Sequence, residues 1–555
     1  EAFDDGKSHE NYFYCEFSDN QIGLMYDVET IIQEHKGQTG LIVLDNCPNN
    51  IFEDVIVKRK SYDSMFRIIG VNNEYYDRIN LSGLNVTQIF LNQDQMRDMV
   101  NDFVDKSIPV INGDMSARDL IKKIADGFPG MAIDLVRNFK EGQGNIDIHR
   151  VDHFINKLLK FEKGHEEEQR MVLCSLALFQ PCPYDNEYKK AFMFIRDNES
   201  ITPLYNYSQE QKRHVFSHTI DRYDKSLIEI SESWLTVRPF PLANWLVNKW
   251  FADDNDPERF EQIVADIENL DEPYREVIKN GLCKRLEYMQ DSAPAQEMIL
   301  LLTTGERAPF CNEKVVCSDL GSRLFLAMSS VNPVAVAKCL YNVLSPKPIE
   351  WVKEYIDGDV RRNLVWALEK LCFNKDSYNY ASKIMALFAI AENETWTNNA
   401  SGQFSQLFHI LLPGTEADLS ERLNILHYLK DNGEGYRDLL LNSIDRAFDD
   451  RDFIRSGSAN QFGLHKKEDY VPTKQEIVNY WKGCNLILQE LLDKDKTTLD
   501  RIAKIAVSHV LRWSFNGMLE RQFSLLTRIA ELKGGLWQEM YDAMQKNNSK
   551  RLAFY

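Results

Sequence analysis

Continuous apolar runs near the start of the chain constrain its fold more than any other feature. The run GLIVLD at 40–45 is apolar up to its final aspartate, and MFRIIGV at 65–71 is also mainly apolar. Short uninterrupted runs of this kind are typical of strands buried in a parallel sheet. Segments with helical spacing at 22–35 and 51–60 separate the runs, and the β-rich run YFYCEF at 12–17 precedes them. The order β-α-β-α-β predicts a parallel α/β sheet.

The pattern changes twice further along the chain. A further strand is predicted at 86–91, VTQIFL, after which the sequence has helical spacing. Between 150 and 252, helical segments precede LIEISESWLTVRPF at 227–240, which predicts a β-hairpin with the polar residues SES at its turn. Helices followed by a hairpin have the outline of a winged helix. From 256 to 555 we predict only successive amphipathic helices, a pattern that favours an α-solenoid.

A chain of 555 residues is too long for a single hydrophobic core. We therefore expect an α/β fold that is followed by an all-α region. The expected domains are an α/β domain at 1–91, a small helical domain at 92–149, a winged-helix domain at 150–255 and an α-helical repeat domain at 256–555.

The composition limits the classes of partner. The formal net charge of −19 disfavours a broad nucleic-acid surface, because such a surface needs clustered lysines and arginines. No apolar run approaches the roughly 20 residues that span a bilayer. The ten cysteines are scattered without a CxxC pair, which indicates buried free thiols in a reducing compartment. We expect a cytoplasmic protein that binds neither membrane nor nucleic acid through this chain.

Asp45 is the first candidate site residue, because it ends a buried strand. In nucleotide-binding α/β proteins, an aspartate at this place lies at the carboxyl edge of the sheet, where it orients Mg²⁺ and its waters beside the nucleotide phosphates. The alternative is an ordinary strand end followed by a residue that caps the next helix.

Two other segments after Asp45 carry polar or helix-breaking residues. The second buried strand runs into Asn72 and Asn73, in RIIGVNNEYYDR. Gly127 and Pro129, in ADGFPGMAIDLV, interrupt a helical pattern. The alternatives are a polar exit from a strand and a plain turn between two helices.

The order of these motifs resembles the STAND class of signal-transduction ATPases. That class includes plant disease-resistance proteins, apoptotic scaffold ATPases and bacterial antiviral proteins. Its members have a P-loop-type parallel α/β domain with a Walker B strand and a sensor strand, then a helical lid with a Gly-x-Pro motif, and then a winged helix. The resemblance covers roughly 1–252 by motif, and a helical-repeat sensor fits the remainder.

The resemblance implies a role for each candidate residue. Asp45 matches the Walker B acid that orients magnesium, and Asn72 or Asn73 matches the sensor near the γ-phosphate. Pro129, with Gly127 before it, matches the lid proline that packs against adenine. Arg238, in WLTVRPFPLANWL, matches the winged-helix histidine that contacts the β-phosphate. Arginine suits that role because it stays charged and donates two hydrogen bonds; the alternative is a solvated arginine at a strand end.

The chain departs from the family in two places. The position after the Walker B acid is often a second acid, but here it is Asn46, which cannot act as a general base. Hydrolysis is therefore expected to be slow or to use a base elsewhere. No GxxxxGK[ST] motif is present, and the Gly-Lys-Ser in DDGKSHEN is followed by a predicted strand instead of the helix that a P-loop needs. We expect the P-loop and an effector domain to precede residue 1.

Two weaker features need an explanation. The pairs His149/His153 and His214/His218 have the i,i+4 spacing of helical zinc ligands, but nothing nearby completes a site, so we expect no metal there. The segment 393–417 combines Trp396, two asparagines and Phe404/Phe408. It is either a ligand-recognition loop or a capped helix start with a buried aromatic face.

The resemblance implies a regulated switch that binds ATP and Mg²⁺. Such a protein recognises a foreign protein, here a phage protein, through its helical region, then forms a homo-oligomer and activates an N-terminal effector. Ligand binding would shift the population from a closed form to an open one. The alternatives are a non-hydrolysing helical scaffold and a STAND-type transcription regulator.

Overall fold

The computed structural model describes most of the chain in two compact units. The described residues are 11–16, 21–45, 47, 49–71, 93–108, 116–125, 129–141, 159, 161–224, 227–238, 240–253, 256–305, 308–394, 399–449, 461–462, 465–515, 519–535 and 537–553. The sheet unit comprises 1–176, 181–194 and 207–243, and the helical unit comprises 177–180, 195–206 and 244–555. The predicted division into four domains stays a prediction.

A three-stranded parallel sheet opens the sheet unit. Its strands are β1 (Asn11–Glu16), β2 (Thr39–Asp45) and β3 (Met65–Val71), and they are joined by α1 (Gln21–Glu34) and α2 (Asn49–Ser61). Strand β2 lies in the centre and pairs in parallel with both neighbours. The predicted β-α-β-α-β order is confirmed for these five elements, whereas the strand predicted at 86–91 lies outside the described residues.

Both connecting helices pack on one face of this sheet. Right-handed crossovers between strands that follow one another in a single direction bring each helix to the same side. The core on this side is formed by alternate strand residues, by apolar residues of both helices and by Cys47 between β2 and α2. Its members are Cys15, Val28, Ile32, Ile42, Leu44, Cys47, Ile51, Phe52, Val55, Ile56 and Phe66. On the opposite face Tyr12, Tyr14, Met65, Ile69 and Val71 are exposed.

At Gly70, the Phe52 side chain of α2 packs directly against the sheet. A Cβ atom at this position would lie 2.5 Å from Cδ2 of Phe52. No carbon atoms approach so closely without strain, so the packed position of the Phe52 ring requires a glycine in β3.

Three helices follow and pack against one another: α3 (Gln93–Ser107), α4 (Ser116–Ala125) and α5 (Pro129–Glu141). Arg118 joins two of them, because its guanidinium on α4 donates to the carbonyl oxygens of Asp105, at 2.9 Å, and Ile108. The helical spacing predicted from 92 onward is thus confirmed where the structure describes it.

The chain from 161 to 253 combines helices with a small antiparallel sheet. Its elements are α6 (Glu166–Ala177), β4 (Cys182–Pro183), α7 (Lys189–Asp197), α8 (Gln209–Tyr223), β5 (Ile228–Ser231), β6 (Trp234–Val237) and α9 (Phe240–Asp253). The predicted hairpin is confirmed: β5 pairs with β6, and Glu232 and Ser233 form the turn between them. Strand β4 adds to the free side of β6, so the order is β4-β6-β5. At two residues, β4 is too short to be predicted from periodicity.

Helices continue through the helical unit. They are α10 (Pro257–Glu268), α11 (Tyr274–Leu286), α12 (Ala293–Thr303), α13 (Glu313–Val316), α14 (Asp319–Met328), α15 (Pro333–Leu344), α16 (Ile349–Tyr355), α17 (Gly358–Phe373), α18 (Lys375–Ile390), α19 (Ala400–Gln406), α20 (Leu419–Asp431), α21 (Arg437–Ala447), α22 (Lys474–Leu491), α23 (Lys496–Phe515), α24 (Leu519–Leu532) and α25 (Gln538–Ala553). Extensive contacts join helices that are no more than three places apart along the chain.

One element contradicts the prediction that 256–555 contains only helices. Two short strands, β7 (Gln461–Phe462) and β8 (His465–Lys466), pair as an antiparallel hairpin. Strands of two residues carry no period-2 signal, so only the pairing in space reveals them.

Asparagine, serine, threonine and aspartate side chains start many of these helices. Asp418 accepts from the amides of Ser420 and Glu421, both at 2.9 Å, and the Glu421 carboxylate accepts from the amide of Asp418. Thr473 and Glu476 form the same capping box on α22. Each cap satisfies amides that a helix leaves unpaired and contributes about 1 kcal/mol. The caps explain why short polar links separate the helices.

Among the described residues of the helical unit, three arginines are fully buried: Arg285, Arg361 and Arg422. Arg422 donates to the carbonyl oxygens of His409 and Ala417, each at 2.9 Å. Burial lowers the pKa of this guanidinium, although nearby polar groups act in the opposite direction. Arg422 thus holds the segment before α20 in place by hydrogen bonds to its backbone.

All ten cysteines are free thiols, and eight of them are buried. No helix that the structure describes combines the length and the apolar character that crossing a membrane requires.

We expect Gly70→Ala to destabilise the parallel sheet by about 1–3 kcal/mol, because the new methyl group overlaps the Phe52 ring. Hydrogen exchange of peptides from 11–71 should accelerate. Gly435→Ala is the matched control, because a Cβ there meets nothing within 4 Å. Equal exchange in the two variants would mean that Phe52 moves away without cost.

Candidate functional site

The carboxyl edge of the parallel sheet is the candidate site. The last residues of the three strands are in register, with Glu16 opposite Asp45 and Asp45 opposite Val71. All three strands therefore end at the same edge. In open α/β sheets ligands bind outside this edge, at the carboxyl ends of the strands.

The chain that leaves β2 stays close to this edge. The amide of Cys47 donates to the carbonyl oxygen of Val71 at 3.2 Å, which ties the exit from β2 to the end of β3. Cys47 is buried, and α2 begins at Asn49. The edge therefore combines Asp45 with the amino end of a helix, where unpaired amides favour anions.

Glu16 is a candidate that sequence analysis missed. It occupies the final position of β1 and is the register partner of Asp45. The acid is visible in YFYCEF, but an acid near the end of a short strand does not indicate a site until the neighbouring strand is known. Acids at the ends of adjacent parallel strands can supply oxygen ligands for Mg²⁺.

The remaining predicted residues fall in different places. Asn72, Asn73 and Gly127 lie outside the described residues. Pro129 is exposed and is the first residue of α5, where proline fits because its missing amide would be unpaired.

The elements that carry the described site residues pack in three separate groups. The residues are Asp45, Pro129 and Arg238. Strand β2 makes its extensive contacts with β1 and β3, α5 makes them with α3 and α4, and β6 makes them with β4 and β5.

Arg238 directly follows β6 and is tied to the hairpin. Its amide donates to the carbonyl oxygen of Leu227 at 2.7 Å, and its guanidinium forms an ion pair with Glu229 of β5. The Arg238 side chain is 39% exposed, so the guanidinium can still be reached from solvent. Any anion that binds Arg238 competes with Glu229.

Comparisons of the chain with protein-family models, with curated proteins and with solved structures found no match.

The histidine pairs give no metal centre in the described part of the chain. His149 and His153 lie outside it. The rings of His214 and His218 are 6.3 Å apart, and Nε2 of His218 lies 3.5 Å from a carboxylate oxygen of Glu162. Among the described residues, no group of three or more His, Cys, Asp or Glu side chains could hold a metal ion.

A cleft of about 610 Å³ opens beside α8, and His214 lines it together with His165, Glu168 and Tyr207. Glu168 accepts a hydrogen bond from the His165 ring at 2.9 Å, which raises the pKa of that imidazole. Tyr207 also donates to Glu168. The Glu168 carboxylate in this cleft thus accepts from two neighbouring side chains.

The segment 393–417 agrees with the capping alternative where it is described. Asn399 caps α19 by accepting from the amide of Gly402 at 3.0 Å. Phe404 and Phe408 are buried, and their ring centroids are 5.1 Å apart. Trp396 lies outside the described residues.

Cys47 offers a test of the packing at the sheet edge. The pKa of its thiol is raised to about 12, mainly by burial and to a smaller extent by the nearby Cys15. At pH 8 only roughly one thiol in ten thousand is then ionised, so we expect very slow alkylation by iodoacetamide in the native protein. Mass spectrometry of the labelled peptide checks this, with the urea-unfolded chain as the control. Rapid labelling of native Cys47 would mean that the edge is open.

Proposed function

We propose that this chain is part of a STAND-class ATPase of the bacterial antiviral branch, in which a nucleotide controls the change from a closed to an open form. The single observation that carries the proposal is the position of Asp45 at the carboxyl end of the central strand of a parallel sheet. The ordered motifs that resemble the class give this position its meaning.

At this edge, Asp45 would orient Mg²⁺ and its waters beside the phosphates of ATP. Glu16, the register partner of Asp45 at the end of the neighbouring strand, would supply a second carboxylate to such an ion. Asn46 supplies no general base. The residues therefore favour retention of a nucleotide over rapid turnover.

Asn72 or Asn73 would contact the γ-phosphate, and Pro129, after Gly127, would pack against adenine. Helices α6 to α8 followed by the β5–β6 hairpin support the proposed winged helix. Arg238 would then contact the β-phosphate, and a bound phosphate would take the guanidinium from Glu229. This exchange couples the nucleotide to the conformation of the hairpin.

The succession of helices in contact with near neighbours supports a solenoid between α10 and α25. Stacked helices of this kind present a large continuous surface. The protein would recognise a phage protein there, in the cytoplasm, and then oligomerise and activate its effector.

We expect Asp45→Asn to weaken Mg²⁺-dependent ATP binding by about tenfold or more, because the amide cannot replace an anionic ligand. Binding of a fluorescent ATP analogue, with and without EDTA, checks this on a longer form of the protein that carries a P-loop. Asp63→Asn is the matched control, since Asp63 precedes β3 at the opposite edge of the same sheet. Equal affinity of the two variants would favour the non-hydrolysing helical scaffold.

Substitutions at the hairpin should change nucleotide retention in opposite directions. Arg238→Ala removes the proposed phosphate contact and should speed release by about tenfold. Glu229→Gln frees the guanidinium and should slow release. Arg213→Ala, on the exposed side of α8, controls for loss of a positive charge. Unchanged release rates in both hairpin variants, measured by stopped flow, would remove Arg238 from the site.

A further inference from the structure

A row of tyrosines and lysines crosses three neighbouring helices of the helical unit. This tyrosine–lysine stripe consists of Lys338 and Tyr341 on α15, Tyr380 and Lys383 on α18, Tyr428 on α20 and Tyr436 in the turn that follows. Helix α18 packs against both α15 and α20, so the residues form one continuous surface. Lys338 is exposed and the other five are half-buried.

Each lysine of the stripe lies over tyrosine rings that belong to a different helix. The Nζ atom of Lys383 lies 5.8 Å from the ring centroid of Tyr341 and 5.2 Å from that of Tyr428. The Nζ atom of Lys338 lies 5.8 Å from the centroid of Tyr380.

Ring contacts also link the tyrosines of the stripe. The rings of Tyr341 and Tyr380 meet edge to face at 5.5 Å, and those of Tyr428 and Tyr436 do so at 6.2 Å. The lysines and rings are thus arranged before any ligand binds.

The two ammonium groups of the stripe have no anionic partner within the described part of the chain. Neither Lys338 nor Lys383 forms a hydrogen bond or an ion pair there. Burial lowers the pKa of Lys383, and no carboxylate opposes this effect. By contrast, Lys430 on α20 forms an ion pair with Glu490 at 2.6 Å. Lys383 differs from an ordinary surface lysine because it is half-buried between two tyrosine rings.

A partly desolvated ammonium without a counterion is an incomplete interaction. Each cation–π contact of this geometry contributes only about 0.5–1 kcal/mol of stabilisation. A carboxylate that reached the stripe would pair with the lysines and could accept from the tyrosine hydroxyls. Tyrosine supplies such contacts at a low entropic cost, which is why it is enriched at protein-binding surfaces.

We propose that the tyrosine–lysine stripe binds an acidic segment of a protein partner, whose carboxylates pair with Lys338 and Lys383. This inference rests on the proposed function only in that the partner is a protein. Nucleic acid fits less well, because two cations cannot neutralise a run of phosphates. Neighbouring helix axes lie about 8–10 Å apart, so an extended segment passes from one helix to the next in about three residues.

The test uses a fluorescein-labelled peptide of four Glu-Gly-Ser repeats and its Gln-Gly-Ser counterpart. Fluorescence anisotropy at low salt should detect binding of the acidic peptide and little or no binding of the neutral one. The double variant Lys338→Gln, Lys383→Gln should weaken binding by about tenfold or more. Lys353→Gln, an exposed lysine on α16 outside the stripe, should leave binding unchanged.

A second measurement keeps the result independent of folding defects in the variants. Lys383 of the unaltered protein should be labelled by an amine-reactive ester, and the acidic peptide should protect it while the neutral peptide does not. Tyr341→Phe preserves the ring below Lys383 and should retain most of the affinity.

Three outcomes would overturn the proposal. The first is that the acidic peptide does not bind. The second is that Lys353→Gln lowers the affinity as much as the double variant does. The third is that a twelve-nucleotide oligothymidine binds more tightly than the peptide and needs Lys338 and Lys383 to do so. The assay contains no ATP or ATP analogue, so its outcome is independent of the Asp45 experiment. A negative result in one experiment therefore does not contradict the proposal that the other experiment tests.

Discussion

The parallel pairing of β2 with both neighbours is the interaction on which the candidate site depends. It places the ends of three strands at one edge and makes Glu16 and Asp45 register partners. A shift of one residue would send the alternate side chains of β2 to the wrong face, so the burial of Ile42 and Leu44 fixes this register. The same core that stabilises the sheet therefore determines which residues end at its carboxyl edge.

The helices reinforce this arrangement from one side. Phe52 approaches β3 so closely that only a glycine fits at position 70. Tyr62 donates to Glu29 at 2.7 Å and Lys58 pairs with the same carboxylate, which joins α1 to α2 and its C-terminal turn. The hydrogen bond from Lys58, together with that from Tyr62, lowers the pKa of Glu29.

Sequence patterns predicted the elements better than the contacts between them. Apolar runs identified the strands around Ile42 and Phe66, because burial in a parallel sheet demands such runs. The ion pair between Arg238 and Glu229 was not predicted, since cross-strand partners depend on the register of the hairpin. Glu16 was missed for the same reason. In the helical unit, spacing and caps predicted helices, but nothing in a single segment indicates that Lys383 would meet tyrosines from two other helices.

The restriction of extensive helix contacts to near neighbours has a consequence for how the helical unit folds. Contacts of low sequence separation close only short loops, so this part of the chain can form its structure quickly and in stages. In the proposed solenoid, stability would be a sum of local terms. Fraying of α24 and α25 would then leave the tyrosine–lysine stripe intact, and damage at one end of the array would remain local.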